Sequence, residues 1–419
     1  MTGRVNRFAS RFGADRSGTI AVIFALAILM LACFAGAAVD YGRAAAASRR
    51  VAQALDSAAL AATVDMVVNN LSDAVVRRNI ALQLDGDIGN GHLQGGSYSG
   101  LTIATDDVAG SIEIDLDVHV PTTLIRLFHQ DAISFHEFTK TAYKVKNVEL
   151  AMVLDTTGSM SQFNKINELK AAAAQAIDVL MPPGKPVFNR IALAPFAASV
   201  NAAPYDLTVS NGASADGCVV ERQGANAYTD AAATGADSLL IDNGNGSYSC
   251  PAQSIVPLSS NATSLKNAIN AYTTNGGTAG HIGLAWGWYL ISPQWASLFP
   301  AVSAPKPYTD PKAIKAVLLM TDGMFNTSYY NGPMNTSSST QAIATCDGMK
   351  AAGIKIYTIG LELALNGSPD DVNARTLLSS CASPDGNGGS EFYDVANGAN
   401  LADAFTQIAG KLSKLRLSN

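Results

Sequence analysis

The sequence predicts an α/β protein. Its main part is a doubly wound, mostly parallel sheet, preceded by a transmembrane helix and a smaller α+β segment. Three observations predict this. A single long uncharged apolar run, Thr19 to Val39, lies near the N-terminus. Apolar residues recur at period two between about residues 101 and 145, the signature of half-buried strands. From about Asn147 onward, short apolar runs alternate with helical stretches, the pattern of a sheet with helices on both faces. Composition agrees. Of 419 residues, 48% are hydrophobic and 15% charged, the opposite of a disordered chain. One apolar run excludes a multi-span membrane protein. A net charge of −6 without a basic stripe excludes a general nucleic-acid binder, which must neutralise phosphates.

The elements follow in order. Residues 1–18 form a basic tail, with Arg4, Arg7, Arg11 and Arg16 against Asp15. The run 19–39 is 21 residues long, which at 1.5 Å per residue spans roughly 30 Å, the thickness of a bilayer core. The arginines all precede it, so the positive-inside bias places the tail in the cytoplasm and everything after Asp40 across the membrane. Ala35-Gly36-Ala37 also fits a signal-peptidase site. A retained anchor is the preferred reading, because the run is long for a signal core and continues into helix-forming sequence (residues 41–71) without a break. In that helix Val51, Leu55, Ala58 and Ala62 share one face.

Residues 85–100 are glycine-rich and read as a loop. In the strand SIEIDLDVHV, Ile112, Ile114, Leu116, Val118 and Val120 form one face, and Glu113, Asp115, Asp117 and His119 the other. The carboxylate row is read as the wet face of an amphipathic strand, with a calcium site as the alternative. His119, His129 and His136 lack metal-ligand spacing.

RFGADRSGTIAVIFALAILMLACFAGAAVDYGRA followed by an Ala-rich helix resembles the N-terminus of Tad/Flp pilus-assembly proteins of the TadE/TadG type, over about residues 7–65. The resemblance implies a bacterial inner-membrane location and makes residues 40–146 a pilin-like helix plus antiparallel sheet. Counting from a cut after Gly18, the fifth residue is Ile23, where pilins carry glutamate. This departure favours retention in the membrane.

In the segment 147–419, VELAMVLD is apolar throughout, as expected of a strand buried on both faces. Ligands of doubly wound sheets lie at the carboxyl ends of the strands. Asp155-Thr156-Thr157-Gly158-Ser159 leaves the first strand, Asp322-Gly323 leaves KAIKAVLLMT, and Gly276-Gly277-Thr278 precedes the helix AGHIGLAW. Together they supply two carboxylates and three hydroxyls, hard-oxygen donors suited to Mg2+, Mn2+ or Ca2+. A site with so few charges leaves the ion partly unneutralised, able to take an acidic group from a partner.

These residues resemble the metal-ion-dependent adhesion site (MIDAS) of von Willebrand factor A domains: D-x-S-x-S, a distant Thr, and a distant Asp followed by Gly. Asp155, Thr157 and Ser159 match the first element, with Thr157 in place of the middle Ser; Thr278 matches the second and Asp322 the third. The resemblance covers about residues 147–415. It implies a divalent cation, Mg2+ first with Mn2+ or Ca2+ as alternatives, and protein partners recognised through a carboxylate.

Other chemistries fit less well. Ser159 lacks the G-x-S-x-G elbow of hydrolases. His281, three residues past Thr278, is expected as a helix-start polar residue or a contact at the rim of the site. The run 243–246 (NGNG) lacks a following Lys-Ser/Thr and is read as a loop, not a phosphate cradle.

Excess length relative to such a domain falls at 201–257, 292–312 and 324–340. The first is a poorly periodic insertion in need of a staple or a partner, and Tyr205, Tyr228, Tyr248, Tyr329 and Tyr330 in these insertions are candidate interface residues. Of five cysteines, Cys33 lies in the anchor. An oxidising periplasm favours disulfides Cys218–Cys250 and Cys346–Cys381, although four cysteines allow three connectivities. The expected role is a membrane-anchored pilus-assembly protein whose periplasmic domain binds pilus or secretion partners. A surface adhesin is the alternative, and a hydrolase on the same fold the third reading.

Overall fold

A computed structural model describes residues 19–67, 71–89, 92–93, 95–106, 110–142, 146–184, 188–213, 216–241, 250–329, 338–363 and 369–415. The basic tail, the 243–246 run, Tyr248 and Tyr330 lie outside the described residues. The chain divides into two compact units, Met1–Tyr143 and Lys144–Asn419.

The first unit opens with helix α1, Thr19–Val67. Its N-terminal part exposes Ile20, Phe24, Leu31 and Phe34, while its second half buries Ala44, Ala47, Val51, Leu55, Ala58 and Ala62. The small alanines let neighbouring elements approach closely. Helix α2, Asp73–Ile88, presents Val76, Ile80, Leu84 and Ile88 to the same core. The third side is an antiparallel sheet of β1 (Ser97–Asp106), β2 (Ser111–Pro121) and β3 (Ala132–Ala142), with β2 central. All five apolar residues of β2, Ile112 to Val120, are buried as the alternation predicts. Its acidic residues pair across strands, Glu113 with Lys140 and Asp117 with His136, while Asp115 accepts from Thr102. The loop reading of 85–100 needs correction. The helix α2 continues to Ile88 and β1 starts at Ser97, because the i, i+4 spacing of Val76, Ile80, Leu84 and Ile88 sustains a helix through Gly86, whose Cα faces open space.

The second unit holds six strands in the order β12-β11-β10-β4-β5-β9. They are β4 (Asn147–Asp155), β5 (Arg190–Phe196), β9 (Val256–Ser259), β10 (Ala313–Thr321), β11 (Lys355–Leu361) and β12 (Phe392–Val395). All neighbours pair in parallel except the edge strand β9, which is antiparallel to β5. On one face pack α3 (Lys165–Leu180), α4 (Ala262–Asn270) and α8 (Leu401–Leu415), through Leu169, Ile177, Leu265 and Phe405. On the other lie α5 (Gly280–Tyr289), α6 (Ser338–Ala351) and α7 (Pro369–Cys381), through Trp286, Cys346 and Leu378. The chain winds outward from β4 in one direction and from β10 in the other. The reversal lies between these two strands, at whose carboxyl ends such sheets take their ligands.

The insertion 201–257 is not the irregular loop expected. It contains a small antiparallel sheet of β6 (Val200–Asn201), β7 (Cys218–Arg222) and β8 (Leu239–Ile241). Arg222 lies over Tyr289 and Trp295, at 5.2 and 5.5 Å from the ring centroids. Asp230 accepts from Tyr308 Oη (2.7 Å) and Ser292 Oγ (2.5 Å), and its carbonyl accepts from Trp295 Nε1 (3.0 Å). Tyr205 packs edge-on against Phe299, and Tyr329 donates to the Ala198 carbonyl at 2.7 Å, so both face inward. Disulfides join Cys218 to Cys250 and Cys346 to Cys381, the pairing expected.

At the amino ends of the central strands, opposite the ends that carry Asp155 and Asp322, Glu149 of β4 is buried among cations. Lys315 and Arg190 both bind its carboxylate, and the Lys306 N–H donates to it. Lys315 also caps the Ile291 carbonyl at 2.7 Å.

Candidate metal centre

Asp155 is the last residue of β4 and is fully buried. Its Oδ1 accepts from the Thr157 N–H (2.8 Å) and its Oδ2 from the Thr321 hydroxyl (2.6 Å). The next turn is pinned at Thr156, whose N–H and hydroxyl both donate to the Phe196 carbonyl on β5 at 2.9 Å. A 3-10 helix then runs from Gly158 to Asn164, with Phe163 and Asn164 in the left-handed region, φ 51° and 65°. That kink sets where α3 begins, and its first residue is Lys165.

The hydroxyls of Thr157 and Ser159 lie 3.0 Å apart, and Ser159 Oγ donates to Asp322 Oδ1 at 2.6 Å. The strand-end rule therefore brings Asp155, Thr157, Ser159 and Asp322 into one connected group. Thr278 joins less directly. Its loop is tied to the motif by Gly158 N–H to the Gly276 carbonyl (3.0 Å) and Asn275 N–H to the Thr156 carbonyl (2.9 Å). Gly276 has φ 75°, a conformation that favours glycine. Thr278 is buried, with its N–H on Asn326 Oδ1 (2.9 Å). Among the described residues its hydroxyl hydrogen-bonds to none of the other four.

Two residues of the cluster were not anticipated. Lys165 Nζ lies 3.0 Å from Asp322 Oδ2 and 3.4 Å from Glu362 Oε2. Glu362 directly follows β11, so the rule that selected Asp155 and Asp322 also points to it. Lys165 had no such signal, because it reaches the site only through the kink at 163–164.

Burial, and then the charge of Asp322, push the Asp155 carboxyl up to about 7. Burial alone would lower the Lys165 ammonium, but the ion pairs with Asp322 and Glu362 outweigh it and the net shift is upward. Lys165 pairs with Asp322 and Glu362, and among the described residues Asp155 has no salt-bridge partner. A buried carboxylate beside hydroxyl donors, in an all-oxygen set, fits a hard divalent cation.

His281 is not at the rim of this group. It is buried, with Nε2 2.7 Å from Glu221 Oε1 on β7 and Nδ1 2.6 Å from Ser338 Oγ at the start of α6. Both ring nitrogens are thus engaged, one by the insertion strand β7 and one by α6. A small pocket lies beside His281, lined also by Glu221, Arg222 and Trp286. None of the five motif residues lines it.

Residues 18–65 match the family model Tad, described as putative Flp pilus-assembly TadE/G-like. The N-terminal helix is TadE/G-like. The match covers nearly all of α1, and no curated protein matches the chain. The unit that follows the TadE/G-like region and its small sheet is α/β, with the doubly wound, mostly parallel sheet expected of a von Willebrand factor A-like domain. Similar solved structures include the vWF domain of the type V pili tip protein Mfa5 from Porphyromonas gingivalis, at 14% identity and TM-score 0.41, covering 66% of this chain and 97% of that one. The pilus adhesin SpaC from Lactobacillus rhamnosus GG is 14% identical with TM-score 0.39, covering 76% of this chain and 34% of that one. This chain thus corresponds to about a third of that adhesin's length. The manganese-loaded TRAP protein of Plasmodium vivax is 16% identical with TM-score 0.32, covering 62% and 74%.

Proposed function

We propose that the chain is a membrane-anchored pilus-assembly protein, held by residues 19–39 in the bacterial inner membrane. Its second unit works in the periplasm as a cation-dependent binding domain for pilus or secretion-system partners. The observation that carries this reading is the hydrogen-bonded group Asp155–Thr157–Ser159–Asp322 at the switch point of the sheet. Asp155, Thr157, Ser159, Thr278 and Asp322 would hold the cation, Mg2+ first, with Mn2+ or Ca2+ as alternatives. When bound, the cation supplies a coordination position for a partner's carboxylate.

The chain's own residues do the rest. Thr321 and the Thr157 N–H fix the orientation of Asp155. Ser159 fixes Asp322. Lys165 couples the site to α3, and α8 packs against the same core as α3 through Phe405, Ile408 and Leu412. We assign α8 as the element that moves on binding, by analogy with switching in related domains. Binding rather than turnover is the activity, because His281 is committed to Glu221 and Ser338 and cannot serve Ser159.

The test is cross-linking and pull-down from membranes with the full chain, in Mg2+ and in chelator. Partner capture is expected in Mg2+ and lost in chelator, and Asp155→Ala should lose it in both while keeping the native circular dichroism. Equal capture by Asp155→Ala in chelator would overturn the cation bridge. Recovery of the chain in the outer membrane or medium would favour an adhesin instead.

A further inference from the structure

The connection between β2 and β3 carries a surface the proposed function does not use. Its short 3-10 helix is Ile125–Phe128, and Asp40 of α1 clamps the start of it. Asp40 Oδ2 accepts from the N–H groups of Leu124 (2.8 Å) and Ile125 (2.9 Å), and Oδ1 from the Thr123 N–H (2.9 Å) and hydroxyl (2.6 Å). These bonds, the Ile125 N–H foremost, hold the Asp40 carboxyl far below the usual carboxylate range. The loop also rests on Gly36. A Cβ there would sit 2.5 Å from Leu124 Cβ, so glycine is what allows the contact. Despite this double attachment, Leu124 is 45% exposed and Leu127 75% exposed.

We propose that this loop is a membrane-docking surface, with Leu124 and Leu127 seated in the lipid at the outer edge of the bilayer. The proposal rests on the reading of residues 19–39 as a membrane span. Gly36 is four residues before Asp40, about 6 Å along a helix, and inside that span. A loop packed on Gly36 therefore lies at the depth where the helix leaves the hydrocarbon. The flanking chemistry is interfacial. Tyr41, two residues past the span, is 71% exposed, where aromatic residues mark the headgroup level. Among the described residues Arg126, between the two leucines, pairs with the exposed Asp131 (3.1 Å), and its stem is long enough to reach lipid phosphates while its neighbours stay apolar. The Asp40 carboxylate sits at this boundary because peptide N–H groups, a hydroxyl and Arg43 (3.8 Å) replace its water. The loop would thus give the helix a second point of attachment and restrict its tilt and rotation.

The experiment uses the full chain with Cys33→Ala, reconstituted in phosphatidylethanolamine–phosphatidylglycerol vesicles. An environment-sensitive fluorophore is placed on a single new thiol through Leu127→Cys, Leu29→Cys or Phe138→Cys. Phe138 is the aqueous control, because its neighbour Glu137 bonds Ser48, eight residues beyond Asp40 and about 12 Å further along the helix. Shallow spin-labelled lipid is expected to quench the label at 127 at least threefold more than that at 138, and deep spin-labelled lipid to quench the label at 29. Quenching at 29 with 127 no different from 138 would overturn the docking surface and leave the anchor standing. No quenching at 29 would overturn the anchor, and this inference with it. Cross-linking between copies through position 127, without lipid quenching there, would replace the lipid by a second chain and also overturn the proposal.

Discussion

Replacing Lys165 by methionine keeps the stem of the side chain and removes its charge. The ammonium is 3.0 Å from Asp322 and 3.4 Å from Glu362, and is almost completely shielded from solvent. At an effective dielectric constant near 20, each contact is worth roughly 5 kcal/mol of gross Coulomb energy. Desolvation offsets most of it, and a charged hydrogen bond of this kind nets about 1.5–3 kcal/mol. A cation that uses Asp322 must displace the ammonium or share the carboxylate with it, so the site spends part of that energy on every binding event. If the ammonium relocates partly rather than fully, the penalty is about 1–2 kcal/mol, or a factor of roughly 5–30 in affinity. Titration calorimetry of the chelator-treated protein with Mg2+ and with Mn2+ should therefore show Lys165→Met binding 5- to 30-fold more tightly than the wild type. Lys165→Arg, which keeps the charge, should stay within a few-fold of the wild type. If the methionine variant binds no more tightly, or arginine and methionine behave alike, the ammonium does not compete for the site.

Three further outcomes are expected. The raised Asp155 carboxyl contributes stability to the cation-free domain that is fully present below the unfolded carboxylate range and lost as pH rises through about 7. In chelator the melting temperature should climb as pH falls from 8 to 5.5, and Asp155→Asn should flatten that slope; an unchanged slope in the variant assigns it to other groups. Glu149→Ala strands Lys315 and Arg190 with their charges uncompensated, a loss of about 3–5 kcal/mol. All three tryptophans (Trp286, Trp288, Trp295) lie in the second unit, so their fluorescence in a urea titration reads it alone, and an unmoved midpoint would refute the role given to Glu149. Cys346→Ser with Cys381→Ser removes the cross-link between α6 and α7 and should cost about 2–4 kcal/mol in the same titration; a cost near zero would mean that helix packing alone holds the pair.

Much of this protein was legible in one dimension, because the relevant signals are local or periodic. The 3.6- and 2-residue repeats mark which face of α1 and β2 is buried. The continuous apolar runs of β4 and β10 mark a sheet covered on both sides. Polar residues that follow such strands directly must emerge at the carboxyl ends of the sheet, which is why Asp155, Thr157, Ser159 and Asp322 are legible in the sequence. Glu362 obeys the same rule, and Gly86 with a low overall hydrophobicity masks the helical signal of α2.

What the sequence did not reveal is how most buried charged and polar side chains pair with residues far along the chain. Lys165 reaches Asp322 across 157 positions only because Phe163 and Asn164 turn the chain through a left-handed kink. His281 looked like part of the site by proximity to Thr278, yet its partners come from an insertion strand and from α6. Asp230 and Glu149 act as hubs for segments that share no pattern with them. The Asp40 clamp on Leu124 joins residues 84 apart and places an apolar loop beside the apolar stretch of α1. Side-chain periodicity determines which residues are buried. Only the assembled fold decides which buried charges meet, because that choice is made by the geometry of elements far apart in the chain.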